Sequence, residues 1–494
     1  MSFPLPDELI ASIFEDLDVP SLLRCMRVCK RFQPIILQSS ALLYKISLFS
    51  AQMSDVKHCD WDLPRRLEAI QRYTDSWNDL QFPTHKQIPM EDAQPWDLVN
   101  GVLTQARPDG GISCVQMPCS IKGIPEHRWV TPTDFLIRDF TIDMSQDLLV
   151  AVEFSHGCDI HLRSCTTGMV HPETTCPRIR PSFLSIRTRS CFLIRVCGPY
   201  IGVLFSDRWL TPSAAAFAVW DWRTGTQKML IRGREFRSFT FISDELILVV
   251  FISGGQVSLR ILPVIHELVS SASDVEYLCE LRYPKLRATV DGVLIISEPS
   301  PTSTVPTNFQ APFTYSSTDV LFTITLKYSL DTVSMSAVVL LVPRSTILSH
   351  VSSISTSPEK HLEWESWGAK GSRMLLLAPS DIWVCHTYGM KYIHKDGGVS
   401  ASIYDFNPYV TNKDVNTASC PRISWTAMEK ETIIRGRTNP FEMDVVTSLP
   451  GRKAPLPLTP NGNGWEAAMI TEDHIVMVQS EVDDGPGIYA YMAM

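Results

Sequence analysis

The stretch "FAVWDWRTG" at residues 217–225 decides most of the fold. Apolar and bulky residues run from Phe217 to Trp220, and the segment then closes in a turn at Thr224–Gly225. Just upstream, "CGPYIGVLFSD" at 197–207 is a more continuous apolar run of strand length. The two segments form one unit: a buried apolar strand, a turn, a more alternating strand and a second turn.

That unit recurs. "DMSQDLLVAVEF" (143–154) leads to "DIHLRSCTTG" (159–168), and "FISDELILVVFIS" (241–253) leads to "QVSLRILPV" (256–264). Later echoes are "SRMLLLAPSDIWVC" with "SASIYDFNP" (372–408), "FEMDVVTSLPG" (441–451), and "DHIVMVQS" with "GIYAYMAM" (473–494). The apolar runs beginning near 147, 199, 245 and 291, read as inner strands, recur about once per 50 residues. This is the period of a four-stranded propeller blade, and the paired units predict about seven blades. A pair of β-sandwiches is the competing architecture. The strand-like "IYAYMAM" at the end fits a ring closed by pairing terminal strands in one blade. The Pro/Ser/Thr-rich run 297–319 reads as a long surface loop. "VWDWRTG" resembles the strand ending of a WD-repeat blade, in which the aspartate holds the turn before the glycine. The histidine-glycine dipeptide of WD repeats is absent.

The N-terminal segment has the helical period. Pro4 and Pro6 bracket a helix start, with Asp7 and Glu8 in the first turn, where carboxylates favour the positive end of the helix dipole. Leu9, Ile10, Ile13, Phe14 and Leu17 line one helical face. Asp18 is placed to cap a second helix carrying Leu22, Leu23 and Met26. A third helix carries Val28, Cys29, Phe32, Ile35 and Ile36, and 41–49 a fourth. Of the 48 residues from Ser2 to Phe49, 26 are apolar. Helices this short cannot bury that surface against one another, so the excess packs on the rest of the chain or on another protein.

"LPDELIASIFEDLDVPSLLRCMRVCKRF" at 5–32 resembles an F-box, with Leu5, Pro6, Glu8, Leu9, Ile13, Phe14, Leu17, Leu22, Val28, Cys29, Lys30 and Phe32 on that pattern. Phe32 stands where many members have tryptophan, and "LLY" at 42–44 where Leu-Trp is common. The resemblance implies a helical bundle that docks a Skp-type adaptor and, through it, cullin and RING subunits. It implies adaptor-binding roles for Leu5, Pro6, Leu9, Ile10, Ile13, Phe14, Leu17, Leu22, Leu23, Val28 and Phe32, some of which must form the bundle's own core. Lys30 and Arg31 are either complementary to an acidic adaptor or a solvated basic face.

Between the two regions, Leu67, Ile70, Tyr73, Trp77 and Leu80 recur at helical spacing and predict an amphipathic connector helix. The expected organisation is thus multidomain: an all-α F-box module at 3–49, a helical connector at 50–92, and an all-β propeller at 95–494.

Composition narrows function. A formal net charge of −9 argues against a protein held on nucleic acid or anionic lipid by charge alone. Thirteen scattered cysteines with no C-x-x-C pair, and no N-x-S/T sequon, fit a reducing intracellular compartment, cytoplasmic or nuclear. No apolar run reaches membrane-spanning length, and the acidic N-terminus is unlike a signal peptide. G-x-S-x-G and phosphate-loop motifs are missing. "NGNGWEA" at 461–467 reads as a turn. The spread of His156, Cys158, His161, Cys165 and His171 lacks the tight pairs of a zinc site, and Glu363 and Glu365 read as a surface turn. No metal or cofactor is expected. The expected role is a substrate-recognition adaptor of a cullin-RING ubiquitin ligase, with an interaction protein outside any ligase, or a propeller enzyme, as alternatives.

Overall fold

The computed structural model describes residues 5–494 except 91–93, 154–157, 182–190, 208–213, 265–274, 303–309, 317–318, 331–334, 355–359, 378–384, 397–399, 411–424, 437–438, 458–464 and 480–486. The chain begins with helices α1 (Asp7–Glu15), α2 (Val19–Cys25), α3 (Phe32–Gln38) and α4 (Ser40–Ser50), followed by the connector α5 (Leu63–Asn78). Helix starts follow local chemistry. The carboxylate of Asp18 accepts the Ser21 N–H at 2.9 Å, and that of Asp62 accepts the Arg65 N–H at 3.1 Å, each ahead of a proline in the first turn.

Among the described residues seven sheets then form a ring, five of four strands and two of five, antiparallel throughout except where Glu280–Leu281 runs parallel to His361–Leu362. Blade 1 runs Trp96–Val99, Val102–Ala106, Ile112–Gln116 and His127–Thr131. The innermost strands of blades 2 to 6 are Ile137–Asp143, Cys191–Cys197, Phe236–Phe241, Thr289–Ile296 and Thr387–Tyr388. Blade 7 takes Ala467–Ile470, His474–Gln479 and Ile488–Ala493 from the end of the chain, and Thr84–Pro89 from its beginning. Thr84 pairs with Ala493 and Pro89 with Ile488, so the terminal strands close the ring and remove two sheet edges. This strand lies inside the stretch read as connector.

Of the four apolar runs read as inner strands, the one near 291 is innermost, as Thr289–Ile296, and the other three are not. Leu148–Glu153, Tyr200–Ser206 and Leu246–Ser253 are second strands, hydrogen-bonded on both sides and sandwiched between neighbouring blades, which explains their near-continuous burial. The innermost strands edge the central channel and tolerate polar residues. Run 297–319 is likewise no simple surface loop: Phe313–Tyr315 pairs with Met53–Asp55, and Phe313 is fully buried. Blade 5 also carries two helices in an insertion, α6 (Arg344–Ile354) and α7 (Trp364–Gly371), and buries Trp364 and Trp367. The "VWDWRTG" turn is held as expected: the Asp221 carboxylate accepts the Arg223 and Thr224 N–H groups, and Gly225 sits at φ +71°.

Candidate docking surface on the helical module

The module sorts its apolar residues by helical phase. Ile10 and Phe14 point inward from α1 and pack with Leu22, Phe32, Ile36 and Leu42, all less than a tenth exposed. Phe14 and Phe32 meet edge to face, their centroids 5.1 Å apart. Leu17 packs against this core while partly exposed. Leu9 and Ile13, one turn apart on the opposite face of α1, are 51% and 52% exposed; Leu5, Leu23 and Val28 are 38%, 43% and 67% exposed, and Pro6 is open to solvent. The eleven residues singled out in the sequence therefore divide: Ile10, Phe14, Leu22 and Phe32 form the bundle's interior, Leu17 packs at its edge, and Leu5, Pro6, Leu9, Ile13, Leu23 and Val28 form an exposed apolar surface. Leu37, also exposed, was missed; in "FQPIILQ" the buried Ile36 turns its neighbour outward. Arg31 reaches across the bundle, its Nε donating to Asp7 Oδ1 at 2.8 Å and its Nη2 to Leu5 O at 2.7 Å, which ties down the start of α1 beneath Leu5.

The module is mounted on one face of the ring, where the first strand of each blade turns into its second; we call it the lower face. Tyr44 Oη donates to Asp55 Oδ1 at 2.8 Å, and Arg66 pairs with the same carboxylate at 2.6 Å. On α5, Ile70, Tyr73 and Trp77 enter a core shared with Phe313, Tyr388, Ile470 and Met494. Tyr73 Oη donates to Glu472 O at 2.8 Å, Trp425 Nε1 to Asn78 O at 2.7 Å, and Asn407 Nδ2 to Ser50 O at 2.8 Å. Beneath this seam Lys122 is buried between Glu472 and Asp473, with its ammonium 5.1 Å from the Tyr73 ring centre and 5.2 Å from that of Phe313. Burial opposes the Lys122 charge, but the two carboxylates prevail and hold its pKa above the ordinary lysine value.

The other residues considered for chemistry have structural surroundings. His161 meets the Glu153 carboxylate at 3.0 Å and stacks on Phe135, and His171 Nε2 lies 2.8 Å from Gln146 O. Cys158 and Cys165 are buried, and His156 lies outside the described residues. Among the described residues no cluster of His, Cys, Asp and Glu is placed to hold a metal ion. Glu363 pairs with Arg282 at 2.7 Å. Most of "NGNGWEA" is outside the described residues. Among the described residues no helix is long and apolar enough to cross a membrane.

Residues 4–48 match the family model described as F-box-like. The N-terminal module is an F-box-like domain. It is followed by a seven-bladed propeller. Among solved structures, the chain is similar to the WD40 domain of Toxoplasma gondii coronin at 7% identity and a TM-score of 0.33, over 78% of this chain and 88% of that one. No curated protein matches the chain.

Proposed function

We propose that the protein is the substrate-recognition adaptor of an SCF-type ubiquitin ligase. The F-box-like domain docks a Skp-type adaptor, which brings cullin and RING subunits, while the propeller holds the target. The observation that carries this reading is the exposed apolar set Leu5, Pro6, Leu9, Ile13, Leu23 and Val28, on a module whose own core is already filled by Ile10, Phe14, Leu22 and Phe32. Exposed apolar surface of this kind on a small helical bundle marks a site for a partner protein. The mounting supports the division of labour. Helix α5 and Tyr44 occupy the lower face of the ring, which leaves the opposite rim for the target. The protein performs no bond chemistry itself; it raises the effective concentration of a target lysine beside a charged ubiquitin carrier.

The test is co-purification of the full-length protein with a Skp-type adaptor and cullin. Recovery of both supports the ligase role, the adaptor alone favours a role outside the ligase, and neither overturns the reading. A target would accumulate on the protein when the proteasome is inhibited.

A further inference from the structure

The axis of the ring holds a cavity of about 450 Å³ whose wall carries several charged side chains. Asp97, Asp139, Asp143, Arg195, Ser297 and Glu298 line it, together with Phe192 and Cys385. Segment 297–302 crosses below it: Glu298 O accepts the Gly389 N–H at 2.7 Å on blade 6, and Ser300 Oγ donates to Val196 O at 2.9 Å on blade 3. The cavity is therefore closed on the side of the helical module.

These groups do not satisfy one another. Among the described residues the Glu298 carboxylate accepts no hydrogen bond. Among the described residues the Asp139 carboxylate accepts only the Phe140 N–H, at 2.9 Å. Among the described residues Arg195 forms no ion pair with any of the four carboxylates; its Nη1 donates to Ile194 O, and its Nε is buried without a partner. Ser297, 6% exposed, has a hydroxyl with no partner either. Asp97 is better provided for, accepting from Thr141 Oγ1 at 2.8 Å and from the Leu98 N–H at 2.9 Å.

Four carboxylates thus face one cavity with one guanidinium, and a buried hydroxyl at its wall lacks a hydrogen-bond partner. A buried hydroxyl left this way, beside partly exposed carboxylates that reach the same cavity, is the usual sign of a missing ligand. The acids are not grouped closely enough to hold a metal ion. An organic cation places several N–H donors and an apolar stem together, which matches a wall of scattered acids and aromatic and aliphatic side chains. We propose that the channel is a binding site for a small organic cation, an amine or guanidinium, held chiefly by Glu298 and Asp139.

The state of the empty site agrees. Burial lifts Asp139 to about 7, with Asp97 adding repulsion and Arg138 and Arg195 opposing the rise. Burial likewise lifts Glu298 to about 7, opposed by Arg195 and reinforced by Asp97 and Asp143; the Cys385 thiol, also raised by burial, stays neutral beside it. A cation favours the ionised carboxylates, so binding releases protons and tightens as pH rises. For a carboxylate titrating near 7, the ionised fraction grows about tenfold between pH 6 and pH 8.

Calorimetric titration of the full-length protein with putrescine, with 1,4-butanediol as the uncharged isostere, and with capped lysine and capped arginine amides tests the site. The expected result is binding of the cations and not of the diol, about tenfold tighter at pH 8 than at pH 6, and weakened at least tenfold by Glu298→Gln and by Asp139→Asn. Preference for putrescine assigns the site to a free diamine; preference for a capped amino acid assigns it to a basic side chain delivered by a protein. Absence of binding by every cation overturns the proposal. So does binding that neither substitution nor pH alters. This site stands independently of the ligase reading, since none of these titrations involves the adaptor.

Discussion

At the scale of single residues, one helical turn separates the interior of the module from its docking surface. Replacing Leu9 and Ile13 with aspartate adds charge to side chains already in water, so the fold should stay within about 0.5 kcal/mol of wild type, while pull-down of the Skp-type adaptor is lost. Phe14→Ala is the contrasting change, because it empties the contact with Phe32 and should cost about 3–5 kcal/mol. A melting curve for each variant, read beside the pull-down, separates the two effects. Retained adaptor binding in the double aspartate variant would place the docking surface elsewhere on the module. A second residue-level expectation concerns Lys122. Removing its ammonium leaves Glu472 and Asp473 buried beneath α5 without their cation. Lys122→Met should therefore destabilise the protein by about 3–5 kcal/mol, whereas Lys86→Met, at an exposed pair with Glu126, should change it by less than about 1 kcal/mol. Equal melting temperatures for the two variants would refute the distinction.

Among elements, α5 joins the two halves, and its docking depends on a few large side chains. Tyr73→Ala with Trp77→Ala empties two sites in the seam, each worth about 3–5 kcal/mol. Limited proteolysis should then cut readily between residues 50 and 84, while the wild-type chain resists there. The amphipathic spacing of Leu67, Ile70, Tyr73 and Trp77 made this helix legible, since one face is buried and the other is wet. The second strands of blades 2, 3 and 4 were legible for another reason: burial on both faces leaves an unbroken apolar run such as "LILVVFIS". Innermost strands such as Ile137–Asp143 hid because the channel lets Arg138, Asp139 and Asp143 sit among their apolar residues. Strand Thr84–Pro89, "THKQIP", hid because it is the outer strand of its blade and is largely solvated. Phe313 and Tyr315 hid because their partner strand, Met53–Asp55, lies some 260 residues away in sequence. In the docking surface, the F-box pattern was legible as a whole, but its division into core and surface required the relative rotation of α1, α2 and α3.

For the whole molecule, the ring is where stability and binding oppose each other. His386 and His474 are buried neutral, with burial lowering both to about 4. The unfolded chain binds their protons more readily between about pH 6.5 and 4, so their contribution is lost as pH falls through that window. Asp139 and Glu298 act in the opposite sense. Their folded values near 7 exceed those of the unfolded chain, so the stability they permit in acid is lost as pH rises through 7. Wild-type stability should consequently vary little between pH 5 and 7, although four groups titrate. Glu298→Gln separates them. Removing a carboxylate that lacks a hydrogen-bond partner should stabilise the protein by about 3 kcal/mol at pH 8 and by less than about 1 kcal/mol at pH 5. If the channel holds an organic cation, that destabilisation at pH 8 is the cost of keeping a vacant anion ready for it. Putrescine should then raise the melting temperature of the wild type at pH 8, and leave that of Glu298→Gln nearly unmoved. A Glu298→Gln protein no more stable than wild type at pH 8 would show that the carboxylate is satisfied in the empty ring, and that the opposition does not exist.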